Sequence, residues 1–380
     1  MKVLILYEYP ASPTGLATQG DLLYKGLKEI GVEARAVHYT SATEKEWYYR
    51  WFKPDVVVGV GFWGYTPDII LHPQSFRQLA VPWLVADGYI AKYRRELNRL
   101  PLILVTSNWV KEVYIRDGIR GDNIEVLPVG CDTDLFCPRQ ENDPEIKAVK
   151  DMLGIRPGQL IILTAGGDAA SKGGQEIMRA MALIKQEVPD WVYVAKVWPQ
   201  ERTQRQNAED LSLACSLGIE DRYRIIMDQS SREFMSALVS ACDVYAAPSR
   251  LEGFGMSQVE AGACGKPVVS INAMGMRDTL LHGETALLAS VGVEHTVDHI
   301  TIGPEPGTHA MRTIALKRPR VVDYRANIDD LAVYLKTLLN DPQLREKLGS
   351  SGRKHVVDHF DYRVVARKFV SIIQERLGIQ

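Results

Sequence analysis

The stretch SRLEGFGMSQVEAGACGKPVVS, Ser249 to Ser270, sets two acids, Glu252 and Glu260, eight positions apart among glycines and small residues. An acid in a loop beside Gly253, Phe254 and Gly255 is placed to bond the hydroxyl groups of a ligand, because glycine lets a ligand approach the backbone and meet its N–H groups. Glu260 has a second reading. Ser257-x-x-Glu260 is the capping-box pattern, in which the two residues satisfy each other's free backbone N–H groups at a helix start. Another candidate is TAGGDAASKGG, where Gly166 and Gly167 end an apolar run and Lys172 precedes Gly173, Gly174 and a helical pattern. N–H groups at a helix start and a lysine together make an anion site suited to phosphate. The order GK[ST] is absent, so this is not a Walker A loop; the alternative is an exposed lysine in a glycine turn. A third loop, YPASPTGLATQGDLL (Tyr9 to Leu23), offers Gly15 for close backbone approach.

Such loops need a scaffold, and the rest of the chain supplies one. Short apolar runs alternate with helical patterns, the rhythm of a parallel sheet with crossover helices. The first third reads as strands at KVLILY, EARAVHY, DVVVGVG, VPWLVAD, LILVTS and IEVLP, with helices at GDLLYKGLKEIG, PQSFRQLA and NWVKEVYIRDG. Residues 131–158 read as a connection rich in Pro, Asp and Glu. A second series follows, with strands at LIILTAGG, WVYVAKVW, YRIIMD, DVYAAPS and KPVVSI and helices at GGQEIMRAMALIKQEV, AEDLSLACSLG, SREFMSALVSA and SQVEAGACG. Residues 289–323 break the rhythm and read as a long loop or an inserted hairpin. The remainder is helical. The expected fold class is α/β with two doubly wound, Rossmann-like domains and a cleft between them, into which loops at the carboxyl ends of strands project. The expected division is residues 1–138 with a crossing-back helix at 362–380 for one domain, and 139–361 for the other.

A length of 380 residues suits two domains. With 46% hydrophobic and 24% charged residues the chain has an ordinary globular composition, and a formal charge of -2 gives no bulk attraction to nucleic acid or an anionic membrane. Five cysteines without a CxxC pair fit a reduced compartment. MKVLILYEYP is expected to be a first strand rather than a signal peptide, and no uncharged apolar run reaches the roughly 18 residues of a membrane span. A cytoplasmic location is expected.

Taken together, the three loops resemble those of the retaining glycosyltransferases of the GT-B fold, family 4, whose E-x7-E element Glu252 and Glu260 reproduce. The likeness extends to TSNWVKEVYIRDGI, IEVLPVGCDTDLFCP and HGETALL. It implies that Glu260 binds the ribose hydroxyls of a nucleotide-sugar donor, and that Glu252 with the backbone of Gly253, Phe254 and Gly255 holds the sugar. It further implies that Lys172 meets the diphosphate in the loop of Gly166 and Gly167, and that Gly15 approaches the donor from the other domain. The expected reaction is transfer of the sugar to an acceptor with retained configuration, the acceptor being a sugar, a lipid-linked group or a small molecule, with no metal or other cofactor. Asp132-Thr133-Asp134 imitates a metal-binding DxD, but the likeness makes it part of a linker.

The chain departs from the family pattern twice. The usual arginine before the lysine is replaced by Gly166, Gly167 and Asp168, and the usual histidine after VPWLVAD by Ala86 and Asp87. Asp87 can bond a sugar hydroxyl but adds no positive charge, so diphosphate stabilisation falls unless Lys196, Arg250 or another base compensates. The alternative function is therefore a catalytically impaired protein of the same fold that binds a sugar nucleotide; an epimerase or a phosphorylase on this fold is a third. Three weaker features remain. His295 and His299, with His309 beyond, have metal-ligand spacing if helical. AKYRRELNR (Ala91 to Arg99) could meet anionic lipid or a phosphorylated acceptor, giving peripheral membrane contact, or be a solvated face. The aromatics of EKEWYYRWF (Glu44 to Phe52) either line an acceptor groove or pack beneath the first sheet.

Overall fold

Strand β1 (Lys2–Tyr7) is buried along almost its whole length, which only a sheet covered on both faces allows. In the computed structural model, which describes residues 1–86, 88–302 and 311–379, it lies within a parallel six-stranded sheet. The others are β2 (Glu33–His38), β3 (Val56–Phe62), β4 (Ala80–Val85), β5 (Ile103–Val105) and β6 (Ile124–Val126), in the order β2-β1-β3-β4-β5-β6. Alternation along β3 divides the core: Val56, Val58 and Val60 join one apolar cluster and Val57 the other, on opposite faces of the sheet.

The second sheet is also parallel, with β7 (Leu160–Ala165), β8 (Trp191–Val197), β9 (Tyr223–Met227), β10 (Val244–Ala246), β11 (Val268–Ile271) and β12 (Ala286–Ala289) in the order β12-β11-β10-β7-β8-β9. The strand order reverses beside β1 in the first sheet and beside β7 in the second, and the glycine loops follow these two strands. Crevices at such reversals are where open α/β sheets bind ligands. The four residues of β12 carried too little pattern to be read from the sequence.

Residues 289–323 resolve the choice between loop and hairpin. Strands β13 (Val291–Ile302) and β14 (Arg312–Ala326) form an antiparallel pair with register shifts. The hairpin emerges after β12 yet reaches the first sheet's domain: Ile300 is buried in that domain's cluster, and the Arg320 guanidinium lies 2.7 Å from Asp117. His295 and His299 are on β13, so the helical spacing that motivated a metal reading does not exist; His309 lies outside the described residues.

Other ties lie at the connection and the returning helix. Asp132 accepts from Lys25 at 2.7 Å, Asp134 from Arg363 at 2.9 Å, and Thr133 Oγ1 donates to Asp361 at 2.5 Å. The three residues of the DxD-like triplet are thus anchors. Helix Tyr362–Leu377 packs on helix Gly15–Glu29, and the Tyr362 hydroxyl donates to Glu29 at 2.7 Å. In AKYRRELNR only Arg94–Asn98 is helical, and Arg94 spends its donors on the carbonyls of Asp117 and Ile90. Helix Ala42–Trp51 divides its aromatics, burying Tyr49 against the first domain and exposing Trp47 and Trp51.

Candidate active site

The loops after β1, β7 and β10 converge on a cavity of about 280 Å³ lined by Gly15, Gly166, Gly167, Lys172, Glu252 and Glu260. Residues up to 245 positions apart therefore meet, as 260 and 15 do, because both sheets turn their carboxyl edges to the same cleft. Asp87, the other expected catalytic residue, lies outside the described residues.

Lys172 folds back over Gly166, where an added Cβ would fall 2.6 Å from its Cγ, and reaches Glu252 Oε2 with its ammonium at 2.5 Å. Burial pushes the Glu252 carboxyl up, but Lys172 and the backbone N–H groups of Phe254 and Gly255 outweigh it and hold the carboxyl below its usual range. The GFG turn thus fixes the acid. Phe254 itself is a core side chain, edge-on to Phe360, and contributes only its backbone. Gly255 has φ +89, and a Cβ there would sit 2.3 Å from the Met276 methyl carbon, so the turn needs glycine.

The capping-box reading of Glu260 does not hold. Helix Met256–Ala263 is capped by Gly255 without a side-chain bond, and the Ser257 hydroxyl turns to Gln258. Glu260 Oε1 instead accepts from Arg232 at 2.6 Å, and the Arg232 guanidinium also covers the Phe136 ring. Arg232 opens helix Arg232–Ala241, whose cap is Ser231. The sequence reading passed over it because a basic residue at a helix start looks like a solvated one. Trp198, at the end of β8, was missed likewise; it borders Gly167 and the cavity. Arg250 does not compensate for the missing arginine, being bound to Glu176 at 2.9 Å and to Gln175 at 3.0 Å and lying outside the cavity. Lys196 does line it.

The first domain completes the cleft. Ser107 Oγ donates to the Gly253 carbonyl at 2.6 Å, Asn108 donates to Asp278 at 2.9 Å, and Gly15 faces Met256. Beside Gly15, Glu8 accepts from Ser12 and Thr14, while at the ends of β2 and β3 the rings of Tyr39 and Tyr65 stack at 4.6 Å and Phe62 leans on Tyr65.

Two doubly wound domains that close a cleft at their carboxyl edges, with an acid pair on one of them, define the GT-B fold. Residues 145–302 match the family model described as glycosyl transferases group 1. Among curated relatives, an MMP alpha-(1->4)-mannosyltransferase of Mycolicibacterium hassiacum is 25% identical over 77% of this chain and 58% of its own length. A D-inositol 3-phosphate glycosyltransferase of Pseudarthrobacter chlorophenolicus is 31% identical over 52% of this chain and 45% of its own. The chain thus spans about half the length of these relatives. Among solved structures, HepE of Anabaena in complex with UDP and glucose superposes with a TM-score of 0.73 at 17% identity, covering 99% of this chain and 100% of that one. Sucrose-phosphate synthase of Thermosynechococcus elongatus does so with a TM-score of 0.75 at 17% identity, covering 100% and 99%. Among the described residues no helix is long and apolar enough to cross a membrane.

Proposed function

We propose that this protein is a retaining, metal-independent glycosyltransferase that moves a hexosyl group from a nucleoside diphosphate sugar to a hydroxyl acceptor. The observation that carries the reading is the pairing of Lys172 with Glu252 and of Arg232 with Glu260 around one cavity that Gly15 closes from the other domain. A nucleotide sugar presents the complementary groups in one line: ribose hydroxyls for Glu260, diphosphate for the cations, sugar hydroxyls for Glu252. The relative named as a mannosyltransferase supports the hexosyl assignment.

In the reaction the bond from C1 to the diphosphate oxygen breaks and its electron pair leaves with the phosphate. Lys172 and the start of helix Gly174–Ile184 stabilise that charge. The acceptor oxygen bonds C1 on the same face and passes its proton to the departing phosphate. Glu252 holds the sugar at the distance this requires. The stacked Tyr39 and Tyr65 beside Glu8 match the apolar face and hydroxyls of a ring acceptor such as a sugar or cyclic polyol.

The melting temperature of the protein with UDP, GDP, ADP and dTDP tests the donor site, since a ligand of the folded state alone raises stability by RT ln(1 + [L]/Kd). One nucleotide is expected to shift it. No shift with any of them at millimolar concentration refutes the reading. Sugar release from the matching donor then separates an enzyme from a binding protein: Glu252→Ala is expected to abolish release while leaving nucleotide binding within a few fold.

A further inference from the structure

Lys196 is the penultimate residue of strand β8, opposite Ala165, and its carbonyl accepts from the Gly166 N–H at 3.0 Å, so its backbone abuts the loop that carries Lys172. It is 4% exposed yet lines the same cavity as Lys172, Glu252 and Trp198. Lys172 and Arg232, the other cations of that cavity, are each engaged by a glutamate. Among the described residues the Lys196 side chain makes no hydrogen bond or ion pair, and the charge that acts on it is Asp228, just after β9. An ammonium that meets only a cavity, on a residue otherwise shut from solvent, gains from a partner of opposite charge. Retaining one at the wall of a binding cavity is the mark of a group whose partner is the ligand.

We propose that Lys196 is a second cation for the donor's diphosphate, taking from a neighbouring strand the place that Gly166 and Gly167 leave without an arginine. The proposal rests on the donor reading above and adds to it a residue and a pH dependence. Burial pulls the Lys196 ammonium below its usual range, against the pull of Asp228. Arrival of a diphosphate reverses that, so binding draws a proton onto Lys196 at pH between its lowered value and the higher value it has with the ligand bound. The other charged groups around the cavity, the Lys172–Glu252 and Arg232–Glu260 pairs, are present with or without Lys196. A comparison that changes only Lys196 therefore isolates its proton.

The test is calorimetric titration of the full chain, wild type and Lys196→Met, with UDP, GDP, the two monophosphates and inorganic pyrophosphate. Measurements at pH 7 and pH 9, in two buffers of different ionisation enthalpy, count the protons taken up. Lys196→Met is expected to weaken the preferred diphosphate at least tenfold and its monophosphate less than threefold, to lose proton uptake, and to melt no lower than wild type without ligand. Lys196→Arg is expected to recover most of the affinity. Pyrophosphate binding lost with Lys196→Met shows that the diphosphate alone is recognised; pyrophosphate failing to bind wild type while the nucleotide contrast holds still supports the role, with the nucleoside required. Equal diphosphate affinity and equal proton uptake in wild type and Lys196→Met overturn the proposal and leave the donor site standing. Absence of any nucleotide binding to wild type overturns both. Should Lys196→Met fail to fold, Lys196→Gln is read in the same way.

Discussion

Lys172 and Glu252, eighty residues apart in sequence and carried on loops from different strands, meet at 2.5 Å across the cavity floor. Without a ligand each neutralises the other. A donor that places phosphate against the lysine and hydroxyls against the acid exchanges this contact for two, so the pair also keeps either charge from standing uncompensated in a partly buried site. Lys172→Met is expected to cut kcat by roughly 10²–10³, the scale for losing one preorganised stabiliser of developing negative charge. Adding Glu252→Gln to it should cost less than the sum of the two single effects, because the members act as a unit. Initial rates for the four proteins check this; strict additivity would mean that the contact has no part in catalysis.

Gly255 gives a prediction on stability. Gly255→Ala has a backbone cost of about 1–2 kcal/mol for a side chain at positive φ. It also crowds the Met276 methyl, which adds about 1–3 kcal/mol of overpacking. Gly31→Ala, at φ +82 with nothing within 4 Å, has only the first cost. Urea unfolding of both should rank them in that order. Donor binding should suffer in Gly255→Ala alone, because that turn supplies N–H groups to Glu252.

That Glu252 and Lys172 stand on loops at one cleft was legible in the sequence, because each sits among glycines between an apolar run and a helical pattern. The parallel sheets were legible for a similar reason: strands buried on both faces read as unbroken apolar runs. Arg232 was hidden, since its meaning comes from Glu260 and that contact belongs to the fold. The hairpin β13–β14 was only half visible. Its exposed strands carry charge on both sides and lack the alternation that marks a half-buried strand.

That hairpin joins the domains through Asp117, whose carboxyl is clasped by Arg116, Arg320 and the Ile90 N–H. Burial raises the Asp117 value, and these partners more than offset it, leaving it below the ordinary 3.8. A depressed carboxyl contributes stability that is complete above its unfolded value and is lost as pH falls through the folded one. Thermal unfolding should therefore show a loss of stability at pH below 3.8 that Asp117→Asn reduces. At neutral pH Asp117→Asn is expected to cost about 1–3 kcal/mol, as for a buried partner left unsatisfied. Adding Arg320→Met should cost little more.

Glu260 carries the sharpest prediction on specificity. Its Oε1 is held by Arg232 at 2.6 Å, which fixes the carboxylate at the cavity wall and leaves its remaining acceptor capacity for a ligand. If those lone pairs serve ribose hydroxyls, a 2′-deoxynucleotide forfeits a charge-assisted hydrogen bond and leaves a partly buried carboxylate unsatisfied. Such bonds contribute about 1.5–3 kcal/mol, so the preferred ribonucleoside diphosphate should bind roughly 10–100-fold more tightly than its 2′-deoxy analogue. Glu260→Ala should bring the two affinities within about threefold by weakening the ribonucleotide while sparing the deoxy form. Calorimetry of both ligands on both proteins decides it. A preference for the ribonucleotide that survives in Glu260→Ala would assign the hydroxyls to other groups and leave Glu260 as the counter-ion of Arg232.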